Sequence, residues 1–160
     1  MKTNNIYSQI KSAISDSHHI LLHLHPGPDA DSAGSALAFY HYLTGINKKV
    51  TLISGDSNLS PGLATLPGAD QITPQNFFDL NLADFDLFII LDSSEKRQIS
   101  KLGEVVFPAH LKTIVIDHHA SNQGFGDLNL IEADSPATCQ IVYKLFKALK
   151  IKISKEIALC

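Results

Sequence analysis

The sequence predicts an α/β protein in which a doubly wound, mostly parallel sheet is flanked by helices. Short apolar strands alternate along the chain with helical segments. The apolar runs at 85–91 and 113–116 are nearly continuous, as expected of strands that are buried on both faces. With 160 residues, 44% of them hydrophobic, the chain is long enough for one compact domain with a buried core but not comfortably for two domains. We therefore expect a single domain over residues 1–160.

The first third of the chain predicts a helix followed by a strand–helix–strand unit. Apolar residues recur at helical spacing over 6–14, and this helix is expected to end near 16–17. A buried strand at 20–24 runs into a Pro/Gly/Asp loop, and a helix rich in small residues follows from about 32 to 43. Gly45-Ile46-Asn47 is typical of a helix stop before a second strand at 49–53.

The remainder predicts two interior strands and then a final pair of helical segments. A Pro- and Gly-rich stretch at 60–68 precedes the two apolar runs at 85–91 and 113–116. The first of the final helices is expected to have Ser135 as its N-cap and Pro136 in its first turn. Its apolar face would comprise Ile141, Val142, Leu145, Phe146 and Leu149.

The charge and composition of the chain exclude several classes of protein. The formal net charge is -3, so the chain has no electropositive field that would attract long nucleic acid. The longest apolar stretch, around 87–91, is far too short to span a bilayer. Cys139 and Cys160 are far apart, and the chain starts with a polar segment rather than an apolar leader. We expect a cytoplasmic protein with no membrane partner.

Polar clusters follow three of the predicted strands. His25 with Asp29 and Asp31 follows the first strand, Asp92 follows the run at 85–91, and Asp117-His118-His119 follows the run at 113–116. In doubly wound sheets, ligands bind in the crevice beyond the carboxyl ends of the strands. Scattered structural acids and histidines would have no reason to choose that edge, so the three clusters predict one shared site.

The residue types of these clusters favour a pair of divalent cations. The side chains of Asp29 and Asp31 are two positions apart on a tight loop and tend to point in different directions, so two ions are the natural interpretation. Asp92 would bridge the two ions, and His118 would complete the ligands of the second ion. Imidazole and carboxylate ligands without thiolates suit Mn²⁺, with Mg²⁺, Co²⁺ or Fe²⁺ as substitutes. Two ions about 3.5–4 Å apart can activate a water and hold a phosphoryl group. Hydrolysis of a phosphate ester follows from this chemistry.

Other residues of the same loops are candidates for binding the substrate. Gly34 and Ser35 fall in the first turns of a helix, where small side chains and the helix N-terminus favour a phosphate. His119 is placed to hydrogen-bond a non-bridging phosphate oxygen or to protonate the leaving group. Arg97 is a candidate phosphate contact, although a surface charge is the more frequent role of such a residue.

Structural interpretations of the same residues remain open. An isolated Asp-x-Asp in a loop usually serves turn chemistry, because Asp side chains accept bonds from nearby backbone amides. The pair His18-His19 lies at the end of a predicted helix with no acid directly beside it, and we interpret it as structural. The three clusters at equivalent strand ends are what favour a functional site over these interpretations.

The motifs resemble those of the DHH phosphoesterase family, in particular its bacterial oligoribonuclease and phosphoadenosine-phosphate phosphatase members. The resemblance covers most of the chain. The first loop fits the pattern H-x-x-P-D-x-D-x-x-G-S without a gap, from His25 to Ser35. Asp92 matches the second motif and Asp117-His118-His119 the third, and Asn122, Gly126 and 135–138 are similar to the segment that follows it.

The resemblance implies a role for each motif residue. It implies that His25 and Asp29 bind one metal, Asp31 and His118 bind the other, Asp92 bridges the two, His119 faces the phosphate, and Asp117 orients an imidazole. Family members carry a fourth acidic motif some fifty residues beyond the third, and a second domain that binds substrate. Because the sequence ends at Cys160, we expect an incomplete catalytic domain in which the second metal binds weakly.

The expected function is metal-dependent hydrolysis of short oligoribonucleotides, dinucleotides or nucleotide 3′-phosphates. The alternatives are an inorganic pyrophosphatase or exopolyphosphatase and a non-catalytic metal- or nucleotide-binding module. The expected partner is a small nucleotide or short RNA, and a homodimer is left open.

Overall fold

A computed structural model describes residues 2–160, with side chains from residue 5 onward. Four α-helices and six strands form within this part of the chain. They are α1 (Lys2–Asp16), β1 (His19–His23), α2 (Ala30–Gly45), β2 (Lys49–Ile53), β3 (Ile72–Thr73), β4 (Leu87–Leu91), β5 (Lys112–Asp117), β6 (Leu128–Ile131), α3 (Thr138–Ala148) and α4 (Lys155–Leu159). None of the helices within residues 2–160 combines the length and apolar character needed to cross a bilayer.

The six strands form one sheet, and every neighbouring pair is parallel. The strand order is β3-β2-β1-β4-β5-β6. From β1 the chain first adds β2 and β3 on one side and then β4, β5 and β6 on the other, so the direction in which strands are added reverses between β1 and β4. These two strands pair with Ile20 opposite Leu87. The fold class predicted from the sequence is confirmed. In such a sheet the crevice for a ligand lies beyond the carboxyl ends of the strands that flank the reversal.

Each face of the sheet packs against its own apolar core. In β4, Leu87, Ile89 and Leu91 face the larger core, which the four α-helices cover. Phe88 and Ile90 point to the opposite face. There the covering is made by short 3-10 turns and loops, which contribute the side chains Phe77, Phe85, Ile99, Val105 and Leu111. The described α-helices therefore flank only one face.

Three details differ from the sequence prediction. The edge strands β3 and β6 were not predicted, because one has only two residues and the other mixes polar with apolar side chains. Ser135 is not the N-cap of α3, since the helix starts at Thr138 and its N-cap residue is Ala137, which makes no side-chain cap bond. Pro136 accordingly precedes the helix rather than lying in its first turn.

Candidate metal centre

The three predicted polar clusters come together beyond the carboxyl ends of β1, β4 and β5. These strands are adjacent in the sheet, so the loops that follow them start side by side. Two groups of side chains have ligand atoms that all lie within 4.8 Å of one another. One group is His25, Asp29 and Asp92, and the other is Asp92, His118 and His119. Asp92 belongs to both groups.

His25 presents one ring nitrogen to the acids and the other to the backbone. Its Nε2 lies 3.6 Å from Asp92 Oδ2 and 3.9 Å from Asp29 Oδ1. Its Nδ1 lies 3.3 Å from the carbonyl oxygen of Pro26. A histidine whose Nδ1–H donates to a carbonyl keeps the Nε2 lone pair for a cation, which is the usual arrangement at metal sites.

His118 repeats this arrangement on the other side of Asp92. Its Nε2 lies 3.6 Å from Asp92 Oδ1 and 3.7 Å from Asp31 Oδ2. Its Nδ1 lies 3.3 Å from the carbonyl oxygen of Ser135. The two imidazoles thus approach opposite oxygens of a single carboxylate. This donor set fits two divalent cations that share Asp92.

Asp92 is held in an unusual backbone conformation at the end of β4. Its φ of 52° lies in the left-handed region, which Asp tolerates better than most residues. Its amide nevertheless donates to Ile116 in β5. Although burial raises the pKa of Asp92, the nearby imidazole of His25 and the hydrogen bond from Thr138 outweigh that effect and hold the pKa below its ordinary value. The central carboxylate is therefore ionised at neutral pH.

Asp29 and Asp31 also serve the termini of two helices. Asp29 is the N-cap of α2 and accepts the amide of Ser32 at 2.9 Å. Asp31 accepts the amides of Thr138 and Cys139 at 2.7 and 2.8 Å, at the start of α3. The turn interpretation of the Asp-x-Asp pair is thus correct in part. It does not compete with metal binding, because each carboxylate oxygen has a second lone pair.

The bonds of Asp31 explain why Ser135 does not cap α3. The first amides of this helix donate to Asp31, a residue more than a hundred positions earlier in the chain. The Ser135 hydroxyl instead lies 2.9 Å from Gln140 Oε1 and 3.1 Å from the carbonyl oxygen of Ala137. Burial raises the pKa of the Cys139 thiol, so it stays protonated and is a poor metal ligand.

His119 is bonded through Nδ1 to a buried carboxylate. Asp117 Oδ1 lies 2.7 Å from this nitrogen, and Asp117 Oδ2 accepts from the amide group of Asn122 at 2.8 Å. The bond to Asp117 raises the pKa of His119. Nδ1 also lies 3.9 Å from Asp92 Oδ1, but its commitment to Asp117 makes Asp31 the better additional ligand beside His118. Nε2 of His119 takes part in neither of these contacts.

The structure does not bring the predicted phosphate contacts Gly34, Ser35 and Arg97 to this cluster. Gly34 is buried, and a Cβ added to it would lie 2.3 Å from the Cys160 carbonyl oxygen. The Ser35 hydroxyl is buried and donates within α2 to the carbonyl of Ser32. Gly34 lines a separate, mostly apolar cavity between α2, α3 and α4 rather than the cluster of candidate ligands.

Arg97 is exposed in a 3-10 turn at 96–98 and lines a separate surface cavity of about 890 Å³. Of the described residues that line this cavity, none is a candidate metal ligand.

Sequence reasoning also missed contacts that support the site, namely those of Thr138 and of the Ser135 carbonyl. No local pattern in the sequence identifies them, because their partners lie far away along the chain.

The chain matches a known family over most of its length. The model of the DHH family N-terminal domain matches residues 19–160, which include every candidate ligand. The chain belongs to the DHH family. The resemblance found in the motifs is therefore confirmed at the level of the family.

Relatives of this DHH-family chain are longer proteins. The chain is 28% identical over 139 residues to the "bifunctional oligoribonuclease and PAP phosphatase NrnA" of Thermus thermophilus, covering 87% of this chain and 40% of that protein. It is 23% identical over 127 residues to the protein of the same name from Bacillus subtilis, covering 79% of this chain and 37% of that protein. The chain thus spans about 40% of the length of the curated relatives it matches.

A solved structure supports the fold of this DHH-family domain. An exopolyphosphatase-related protein from Bacteroides fragilis has a TM-score of 0.85 and covers 96% of this chain, while this chain covers 47% of it. The two sequences are 23% identical. At that identity the likeness shows the fold alone.

Proposed function

We propose that this DHH-family domain hydrolyses phosphate esters with two divalent cations that share Asp92. One observation carries the proposal: the Nε2 atoms of His25 and His118 approach opposite oxygens of Asp92, each at 3.6 Å. A structural role needs no such symmetry, since one buried acid is neutralised by one histidine. We assign one cation to His25, Asp29 and Asp92, and the other to Asp31, Asp92 and His118. Mn²⁺ suits these oxygen and imidazole donors.

The residues around Asp92 divide the work of the reaction. Two bound cations would lower the pKa of a water and stabilise charge on the phosphoryl oxygens. His119 contacts the substrate: its bond to Asp117 raises its pKa and fixes Nδ1, so Nε2 can donate a proton to a phosphate oxygen or to the leaving group. Asn122 holds the far oxygen of Asp117 and so keeps the imidazole in place.

We propose small nucleotides as the substrates, either short oligoribonucleotides or nucleotide 3′-phosphates. The relatives from Thermus thermophilus and Bacillus subtilis are named for both activities. The net charge of -3 agrees with a small ligand bound through cations rather than with a long polyanion bound through a basic surface. In this proposal residues 1–160 belong to the catalytic domain.

The first test is a calorimetric titration of the metal-free chain with Mn²⁺. We expect the wild type to bind two ions, more weakly at Asp31 and His118 than at His25 and Asp29. Asp92→Asn should bind neither tightly, and Asp31→Asn should retain the ion at His25. Asparagine is preferable to alanine at position 31, because it keeps one of the two oxygen acceptors that the amides of Thr138 and Cys139 use. Equal loss in the two variants would contradict the assignment of ligands.

The second test measures hydrolysis in the presence of Mn²⁺. Adenosine 3′,5′-bisphosphate and inorganic polyphosphate are followed by release of inorganic phosphate, and a 5′-phosphorylated diribonucleotide is followed by formation of nucleoside monophosphates, because cleavage of its phosphodiester bond frees no phosphate. We expect hydrolysis of both nucleotides and none in Asp92→Asn. Release from polyphosphate alone would favour the polyphosphatase alternative, and two-ion binding without hydrolysis of any substrate would favour a non-catalytic module.

A further inference from the structure

The segment that leads into α3 contacts three candidate ligands that come from three different elements. The Ser135 carbonyl lies 3.3 Å from His118 Nδ1. The amide of Thr138 donates to Asp31 Oδ2 at 2.7 Å. The hydroxyl of Thr138 donates to Asp92 Oδ1 at 3.0 Å. Asp31, Asp92 and His118 belong to α2, the end of β4 and the end of β5, so this segment joins all three.

Thr138 makes two of these contacts and is fully buried. Its exposed fraction is 0%. A buried hydroxyl needs a partner, and the partner here is an ionised carboxylate, which is the stronger kind of acceptor. One residue therefore fixes the positions of two acids, Asp31 through its amide and Asp92 through its side chain.

The hydroxyl acts on one side of Asp92 only. It donates to Oδ1, which is the oxygen near His118, whereas Oδ2 faces His25. A single hydrogen bond occupies one lone pair of Oδ1 and leaves the other for a cation. Because the hydroxyl is neutral, it restricts rotation of the carboxylate without cancelling the charge that a cation needs.

We propose that Thr138 is a positioning residue for the cation at Asp31, Asp92 and His118. The inference rests on the proposed function, in which Asp92 is shared by two cations. Loss of the hydroxyl should release Oδ1, so the cation beside His118 should bind more weakly. The cation at His25 and Asp29 should be almost unaffected, since it is assigned to Oδ2, which faces His25 and accepts no bond from Thr138.

The experiment compares Thr138→Val, which is nearly isosteric, with Thr138→Ser, which keeps the hydroxyl. Mn²⁺ binding is measured by calorimetry, and electron paramagnetic resonance of the loaded protein reports whether two ions lie close together. We expect Thr138→Val to keep the first ion within about threefold and to weaken the second by about ten- to a hundredfold, the range for groups that orient ligands. At Mn²⁺ concentrations where wild type and Thr138→Ser show the resonance signal of two coupled ions, Thr138→Val should not show it.

The outcomes separate this inference from the proposed function. If wild type does not bind two ions, the shared-carboxylate proposal fails. If wild type binds two ions and Thr138→Val binds both equally well, or weakens both equally, the role of Thr138 is refuted. If Thr138→Val does not fold, Thr138→Ala replaces it, because Ala and Ser differ only by the hydroxyl oxygen. A merely structural role would not distinguish the two ions.

Discussion

His23, at the end of β1, makes the protein sensitive to acid in a way that can be calculated. Its side chain is fully buried, and its Nε2 lies 3.1 Å from the carbonyl oxygen of Ile99. Its Nδ1 has no hydrogen-bond partner among the described residues. Burial lowers the pKa of His23 from 6.5 to about 3. The folded state therefore excludes a proton that the unfolded state takes up readily.

The sign and size of the effect follow from this difference in pKa. Above pH 6.5 the imidazole is neutral in both states and has no effect on stability. As the pH falls from 6.5 toward about 3, the unfolded state binds the proton first, so the free energy of unfolding decreases. Between pH 7 and pH 5 this contribution is about 2 kcal/mol, from about 1.4 kcal/mol per pKa unit.

The test is urea unfolding of wild type and His23→Gln at pH 7 and pH 5, with a chelator present. Glutamine does not titrate, and its amide can still donate to the Ile99 carbonyl. We expect the variant to lose about 2 kcal/mol less stability than wild type over this interval. His110→Gln is the control, because it makes the same substitution at an exposed histidine. Equal losses in wild type and His23→Gln would refute the reasoning.

The comparison with wild type is needed because another histidine acts in the opposite direction. The neighbouring carboxylate of Asp92 raises the pKa of His25. Its contribution to stability is therefore fully present below pH 6.5 and is lost as the pH rises through the higher folded pKa. The difference between His23→Gln and wild type largely removes this opposing contribution, because His25 is present in both proteins.

Two further changes test the site and its packing. Asp117→Asn should lower the pKa of His119, which NMR can follow, because it removes the charge that raises this pKa. It should also reduce turnover about tenfold or more while Mn²⁺ binding changes little. An unaltered titration of the His119 imidazole would contradict the role of Asp117. Gly34→Ala should destabilise the fold by about 1–3 kcal/mol, because the added Cβ would lie 2.3 Å from the Cys160 carbonyl oxygen. Gly45→Ala, where a Cβ meets nothing within 4 Å, is the control in thermal unfolding, and equal melting temperatures would refute the packing argument.

Elements with a strong local pattern could be predicted from the sequence. The strand predicted at 49–53 matches β2, and the turn at Gly45-Ile46-Asn47 ends α2, with Asn47 at a φ of 60°. These features depend on hydrophobic spacing and on turn residues within a few positions of one another. The two-residue strand β3 could not be predicted, since only its pairing with β2 makes it a strand.

The candidate metal centre likewise has a part that could be predicted from the sequence and a part that could not. Its members could be named in advance, because the strands end where apolar runs end and a parallel sheet brings those ends to one edge. The support of the site could not be predicted. Ser135-Pro136 has the residue types of a helix N-terminus, yet the amides of α3 donate to Asp31 instead. Gly34 and Ser35 have the residue types of a phosphate site, yet packing of α2 encloses them.

The sequence by itself determined the family, the parallel α/β fold and the set of candidate ligands, because each depends on residue types at short spacing. Tertiary structure alone decided which oxygen of Asp92 faces which histidine. It also decided that Thr138 donates both to Asp92 and to Asp31, which lies 107 positions earlier in the chain. The physical reason is that a carboxylate accepts hydrogen bonds from the donors that lie nearest in the folded protein. Which donors these are depends on how the helices and strands pack, and not on their separation along the chain.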